Sequence, residues 1–378
     1  MAFGNIYGQG GSSLISRLLG ENQKTAVHQV SSFCIYIAII TGVVLGILML
    51  LFHQGLLYAI GANEETIGFA RDYFVILAIG APAIILSFIH QNLLRCEGMA
   101  TISMMGTIAG AVLNIILDPI LISSCHMNAM GAAVATVLGY VFSDLLYLLA
   151  VLKYSQWLSV KIKDFRIAVN QLKQIFGIGI TAAITNLMQS LCVIIMNQFL
   201  LPYGSDKIAA MGIVLKVNMI AQLVITGFSF GAVPVFGYLY GRRAIDELKQ
   251  LFAFCLKFLG VLSIGLTVII FIAAPSLVKI MMNNQDIINE GALMLRCQVI
   301  TTLGAAIVLV MTCLFQAMGK VLPSFMLSIS RQGIVFVIAL FILVQLYGYQ
   351  GLLISLAVAD VLSSLLALVL YIKYFKVE

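Results

Sequence analysis

Charge is scarce in this chain: Asp, Glu, Lys and Arg together supply 10% of its 378 residues, against roughly a quarter in ordinary soluble domains. So little charge cannot cover a water-soluble globule. The seven cysteines (Cys34, Cys96, Cys125, Cys192, Cys255, Cys297 and Cys313) contain no C-x-x-C pair and have no His at metal-ligand spacing, so they read as small apolar packing residues. A cleavable signal is also missing, because Met1 leads straight into Ala2-Phe3-Gly4-Asn5 without a charged n-region. Insertion must therefore use the apolar helices themselves. H-E-x-x-H, G-x-S-x-G and G-x-x-x-x-G-K-[ST] are absent, and the glycines of Gly8-Gln9-Gly10-Gly11 follow no strand. Lacking a P-loop, the chain does not hydrolyse nucleotide on its own, and nothing marks it as an enzyme or calls for a cofactor. The excess of 21 Lys and Arg over 15 Asp and Glu, a formal +6, reports membrane topology before it reports a nucleic-acid partner.

What is abundant is apolar length. Hydrophobic residues make up 62% of the chain, and eleven segments are long enough to cross a hydrocarbon core about 30 Å thick. They are expected at 1–16, 28–52, 70–94, 100–122, 131–152, 176–201, 207–235, 249–273, 290–316, 322–345 and 349–373. One set of alternate loops holds Arg17, Lys24, Arg95, Lys153, Lys161, Lys163, Arg166, Lys173, Arg242, Arg243, Lys249, Lys320, Lys373 and Lys376. Those loops should be cytoplasmic, which also puts the C-terminus inside. The longest polar stretch, 153–174, is basic and amphipathic and suits a linker lying along the lipid headgroups. The expected organisation is an N-terminal lobe over 1–152, a cytoplasmic linker over 153–175 and a C-terminal lobe over 176–378.

The chain repeats itself. An offset of 221 residues sets Gly10 on Gly231, Gly20 on Gly241, Asn63 on Asn284, Glu65 on Asp286, Ile67 on Ile288, Leu93 on Leu314, Gly98 on Gly319 and Ser103 on Ser324. Six helices separate equivalent positions, so the halves run in the same sense across the membrane, as parallel repeats do in some secondary transporters. The expected fold is all-α and polytopic, two parallel-repeat bundles of six helices. The counterpart of helix 176–201 falls before the first residue, and Met1 maps to Gln222 inside a helix. The expectation is therefore an N-terminally truncated chain whose first bundle lacks its first helix.

Polar residues inside apolar helices are functional candidates because hydrocarbon penalises them. Asn114 and Asp118 are four apart and share a helix face, while Pro119 cannot bond the carbonyl of Ile115 and leaves that oxygen free. Thr136 lies at a similar depth on the next helix. Together these oxygens make a site for a small cation or a proton; the other reading is a protonated or helix-capping Asp118 near the outer interface. Arg331 and Asp360 each lie about 14 Å deep from opposite sides, either as a structural ion pair or as a substrate contact. Asp144 and Lys216 are the next candidate pair, across the two bundles, and Arg296 is placed to snorkel. Pro82, Pro119 and Pro234 are helix-interior prolines that serve either as hinges or as packing devices. The 17 Met, 22 Phe and 14 Tyr either line an adaptable pocket for lipophilic cations or face lipid and fill helix contacts.

Five stretches carry a resemblance: residues 8–20, beginning Gly8-Gln9-Gly10-Gly11; Leu94-Arg95-Cys96-Glu97-Gly98; the run from Asn114 to Pro119; Gly131-Ala132-Ala133-Val134-Ala135-Thr136; and Ser330-Arg331-Gln332-Gly333. In these the chain resembles the multidrug and toxic compound extrusion (MATE) family, in its DinF-like or MepA-like bacterial branch. The resemblance implies two six-helix lobes forming a V-shaped cavity, alternating access, and export of organic cations in exchange for Na⁺ or H⁺ across the plasma membrane of a bacterium. It also implies a cation site in the N-terminal lobe, built from an Asp on helix 1, an Asn and Asp four apart on helix 5 and a Thr on helix 6. The last three match Asn114, Asp118 and Thr136; the helix 1 Asp belongs to the segment expected to be missing, so the chain is expected to couple poorly. No carboxylate stands in 176–201, which offers Asn186, Gln189 and Asn197, and this favours coupling through the N-terminal lobe. The expected partners are small-molecule organic cations and membrane lipid, with the chain acting as a monomer. The alternatives are a flippase for a lipid-linked saccharide, which would need more cations along its cavity than Lys216, Arg296 and Arg331, and an inactive remnant.

Overall fold

In lipid, a backbone that does not close into a barrel must satisfy its polar groups within helices, and helix is what this apolar chain forms. The computed structural model describes residues 2–59, 63–64, 66–282 and 284–375. Met1, Glu65 and Lys376, which enter the sequence arguments above, lie outside the described residues. The helices are α1 (Ala2–Gly20), α2 (Lys24–Leu51), α3 (His53–Ala59), α4 (Ile67–Cys96), α5 (Ala100–Pro119), α6 (Asn128–Tyr154), α7 (Val169–Leu200), α8 (Ser205–Gly241), α9 (Ile245–Met281), α10 (Gln285–Val299), α11 (Thr302–Ala317), α12 (Val321–Ile329) and α13 (Val335–Tyr374). The chain divides into two units, Met1–Ile180 and Thr181–Glu378, and the division falls inside α7.

Among the described residues eight helical segments are long and apolar enough to cross a membrane, and the bent pair α10 and α11 makes a ninth. The last segment is two passes rather than one. At Gly348 the backbone takes φ 55° and ψ −128°, a conformation open in practice to glycine alone. The chain reverses there, so that a Cβ on Gly351 would overlap the carbonyl of Leu343. The architecture is all-α and polytopic, as expected from the sequence.

The repeat is visible in the turns. Asn22 (φ 60°) and Arg243 (φ 59°) are 221 residues apart and both left-handed, as are Gly98 (φ 81°) and Gly319 (φ 74°). The hydrogen bonds match as well: Gln23 N–H bonds Leu18 O at 2.9 Å and Ala244 N–H bonds Leu239 O at 3.0 Å, while Met99 N–H bonds Leu94 O at 3.0 Å and Lys320 N–H bonds Phe315 O at 2.9 Å. These are the six-to-one closures that satisfy the last carbonyls of a helix. At the opposite ends Asn63 Oδ1 accepts from Thr66 N–H at 3.0 Å and Asn284 Oδ1 from the equivalent Ile287 N–H at 3.4 Å.

Two stretches differ from the expected helices. A short α3 fills part of the region read as a loop after residue 52. The single helix expected over 290–316 is α10 and α11, bent by 40° between Val299 and Thr302. The polar stretch after Tyr154 is ordered against α2. Residues 155–161 run extended into a 3-10 turn at Ile162–Asp164, and α2 holds them: Ser32 Oγ donates to Lys161 O at 2.8 Å, Tyr36 OH to Val160 O at 2.9 Å, and Ser31 Oγ accepts from Ser159 N–H at 3.0 Å. Phe165 stacks on Phe33 with ring centroids 5.7 Å apart. Glu97 takes the other end of this strap, accepting from Gln156 N–H at 2.6 Å, Trp157 N–H at 3.0 Å and Ser155 Oγ at 2.5 Å.

Candidate functional site

Within the first unit, α5 and α6 meet backbone to backbone. The carbonyl of Gly139 lies 2.6 Å from where a Cβ on Gly110 would stand, and small residues of this kind let helices approach closely in lipid. Ser143 fastens the crossing, its Oγ donating to Gly106 O at 2.9 Å. One turn further along α5, Asn114 faces Thr136 with Nδ2 3.4 Å from Oγ1, while Thr136 Oγ1 donates to Ala132 O at 2.9 Å. A cavity of about 400 Å³ opens here, walled by Ser87, Gln91, Thr107, Asn114, Thr136 and Tyr147 among others. Asp118, on the next turn of α5, is half-buried and is not part of that wall. The structure thus brings Asn114 and Thr136 together and leaves the carboxylate a turn away. Beyond Asp118 the helix ends at Pro119 and widens into a π-turn, Ile120–Ser124.

A second π-turn, Ser330–Ile334, carries Arg331 in the other unit, beside Gly333 at φ −116° and ψ −114°. Such widened turns re-aim side chains and are frequent at functional sites. Arg331 Nε donates to Asp360 Oδ1 at 2.8 Å, and Asp360 is 1% exposed. The structure therefore joins these two residues as an ion pair. Arg331 lines a cavity of about 390 Å³ together with Gln189, Asn218, Gln222, Gln298 and Gln332. With the guanidinium neutralised by Asp360, this wall offers amide donors and acceptors rather than net charge.

Asp144 takes its partner from α4, where His90 Nδ1 lies 3.0 Å from Asp144 Oδ1, both residues buried. Lys216 stands on an exposed face of α8 and is not in the wall of the second unit's cavity. Arg296 Nε donates to Phe271 O at 3.2 Å with the guanidinium 5.2 Å from the Phe271 ring. Pro82 and Pro234 lie inside unbroken helices, and Gly42 of α2 packs directly on Pro82. Pro119 closes α5 at the π-turn. His90 is the residue the sequence reading passed over. The signal was present, since an imidazole stood inside an apolar stretch at 70–94, but its partner is 54 residues away.

Comparison with known proteins follows the same lines. The MatE family model matches residues 1–120 and 181–341. The multidrug export protein MepA of Staphylococcus haemolyticus (strain JCSC1435) is 30% identical over 368 residues, covering 97% of this chain and 81% of that protein. MepA of Staphylococcus aureus (strain MSSA476) is 31% identical over 370 residues, covering 98% of this chain and 82% of that protein. Among solved structures, a MATE protein in complex with MaL6 is similar with a TM-score of 0.93 at 23% identity, over 98% of this chain and 84% of that one. An outward-facing multidrug resistance MATE transporter of the MOP superfamily gives 0.93 at 24% identity, again over 98% and 84%. At these identities the solved structures establish the fold alone.

Proposed function

The chain belongs to the MatE family, and on that premise we propose that it exports small organic cations across the plasma membrane of a bacterium in exchange for H⁺ or Na⁺. As a family member it is a membrane transporter and not an enzyme. The observation that carries the coupling reading is the first-unit cavity in which Asn114 and Thr136 meet, with Asp118 one turn away on the same helix face. Two neutral oxygens and one carboxylate suit a hard monovalent cation or a proton. The exchange runs by alternating access. Ion binding at Asp118 stabilises one arrangement of the transporter and drug binding the other, since an ion indifferent to the two states would drive nothing. The relatives bearing the name multidrug export protein support the cargo class. The lobes at 1–152 and 176–378, joined by 153–175, are the units that exchange access, and the chain works as a monomer in lipid with its C-terminus in the cytoplasm.

A flippase for a lipid-linked pyrophosphate finds less support. Of the three cationic residues it would use, Arg331 is neutralised by Asp360, Arg296 is engaged with Phe271, and Lys216 is exposed and outside the second unit's cavity wall.

The test is ethidium efflux from proteoliposomes with a pH gradient and a Na⁺ gradient imposed separately. Wild type should respond to one of them, and Asp118→Asn should lose that response at unchanged expression. Gradient-dependent efflux unimpaired in Asp118→Asn removes Asp118 from the mechanism.

A further inference from the structure

We propose that His90 and Asp144 form a proton-binding site in the first unit, distinct from the Asn114, Thr136 and Asp118 group. The proposal rests on the exporter reading above for its use, but not for its existence.

The geometry is that of an unfinished pair. His90 is 3% exposed and Asp144 8%, and a single 3.0 Å hydrogen bond joins Nδ1 to Oδ1. The other polar atom of each, His90 Nε2 and Asp144 Oδ2, is buried without a hydrogen-bond partner. A structural histidine held only for packing or for bridging two helices normally has both nitrogens satisfied, because an orphaned buried polar group is penalised. Here one donor and acceptor set is left open on each side of the bond, which is what a site needs if it is to take up and give back a proton.

Charge counting gives the same result. With His90 neutral and Asp144 ionised, the pair carries a net −1 among apolar neighbours. One added proton, on Nε2 or on Oδ2, makes it net neutral, and a buried charge is tolerated only when paired. The facing groups leave that balance to the pair itself. On α6 the nearest titratable side chain is Tyr147, whose ring centroid lies 6.3 Å from that of His90 and whose hydroxyl is held by Thr107 Oγ1 at 2.7 Å and Ser103 O at 3.0 Å. On α4 itself Arg95 lies a turn further on, near Tyr147. From α1 the inner titratable group is Tyr7, bonded to Thr41 of α2 at 3.2 Å, and α2 adds buried Cys34. Along α5 only Asp118 titrates, at the far end of the helix. Among the described residues of these helices, Arg95 is the cation that approaches Tyr147, while Asp144 takes its ion pair from His90.

The site also has an exit. Ser87 and Gln91, flanking His90 on α4, and Ser143 and Tyr147, flanking Asp144 on α6, line the same cavity whose other end holds Asn114 and Thr136. The pair lies just behind that wall, so a small movement of α4 against α6 would open it to water. A proton released there leaves a net negative charge beside the cavity, which favours an organic cation within it.

The experiment uses the full chain in nanodiscs, labelled with ¹⁵N at its four histidines, with ring signals followed from pH 5 to pH 9. A single step should change the His90 ring signal or the Asp144 carboxyl infrared band, according to which atom takes the proton. His90→Gln should remove the ring signal, Asp144→Asn should remove the carboxyl band, and Asp118→Asn should leave both. Thermal unfolding verifies that each variant is folded. A His90 signal and an Asp144 carboxyl band that both keep one protonation state throughout, or a titration unchanged by Asp144→Asn, overturns the proposal. Added ethidium should shift the step to lower pH, and by reciprocity ethidium should bind up to about tenfold more weakly per pH unit below the step. A step that is present but indifferent to ethidium leaves the proton site standing and counts instead against the exporter reading.

Discussion

Arg331 and Asp360 show what a single pair commits a membrane helix to. Asp360 is 1% exposed and its cation comes from a π-turn on the other arm of a helical hairpin. Removing the guanidinium alone leaves a buried carboxylate uncompensated, a loss of roughly 3–5 kcal/mol. Arg331→Met should therefore lower the thermal midpoint in detergent sharply, and Arg331→Met combined with Asp360→Leu should recover most of it. If the double variant is no more stable than the single, the pair is not what Asp360 depends on. At this scale the sequence disclosed residues but few partners. Depth counting suggested convergence of Arg331 with Asp360 and of Asp118 and Asn114 with Thr136, because each sits in a helix whose ends were plain; the structure joins the first pair and brings Asn114 to Thr136, with Asp118 a turn away. The sequence reading assigned Asp144 to Lys216 because two opposite charges were the simplest match, and passed over His90 because a neutral imidazole carries no formal charge to balance.

Helices and turns were legible to different degrees. Apolar runs bounded by polar residues located the passes, since length and hydropathy follow from the lipid alone. Irregularities did not announce themselves: the bend between α10 and α11, the π-turns after Pro119 and at Arg331, and the reversal at Gly348 depend on how neighbouring helices pack. The strap over 155–164 is the clearest case, for its basic amphipathic sequence marks a linker but not that Glu97, Ser31, Ser32 and Tyr36 hold it. Glu97 accepts three hydrogen bonds from residues 155–157, and charged acceptors of this kind contribute about 1.5–3 kcal/mol each. Glu97→Ala should loosen the strap, so that limited trypsin in detergent cuts at Lys161, Lys163 or Arg166 roughly tenfold faster, the effect of about 1.4 kcal/mol. Unchanged cleavage would mean that the contacts from α2 suffice alone.

For the molecule as a whole, the loop charges predict which face meets which solution. Lys153 closes α6 and Lys161, Lys163, Arg166 and Lys173 follow it, whereas Cys125 lies in the exposed turn before it. The two lie on opposite sides of one pass, so a basic cytoplasmic strap puts Cys125 outside. A membrane-impermeant maleimide should label intact cells, and Cys125→Ser should abolish that labelling. Labelling only after the cells are opened would invert the topology.

The paired corners at Asn22 and Arg243, and at Gly98 and Gly319, tell of ancestry. The two halves differ in most side chains, yet at these two corners the left-handed residue and the closing hydrogen bond recur at the same 221-residue offset. Apolar surface can be rewritten piecemeal, because any residue of similar bulk and greasiness will do. A corner cannot, since half of one is no corner, and so the loops of such a duplicated protein preserve its descent longer than its membrane-facing helices do.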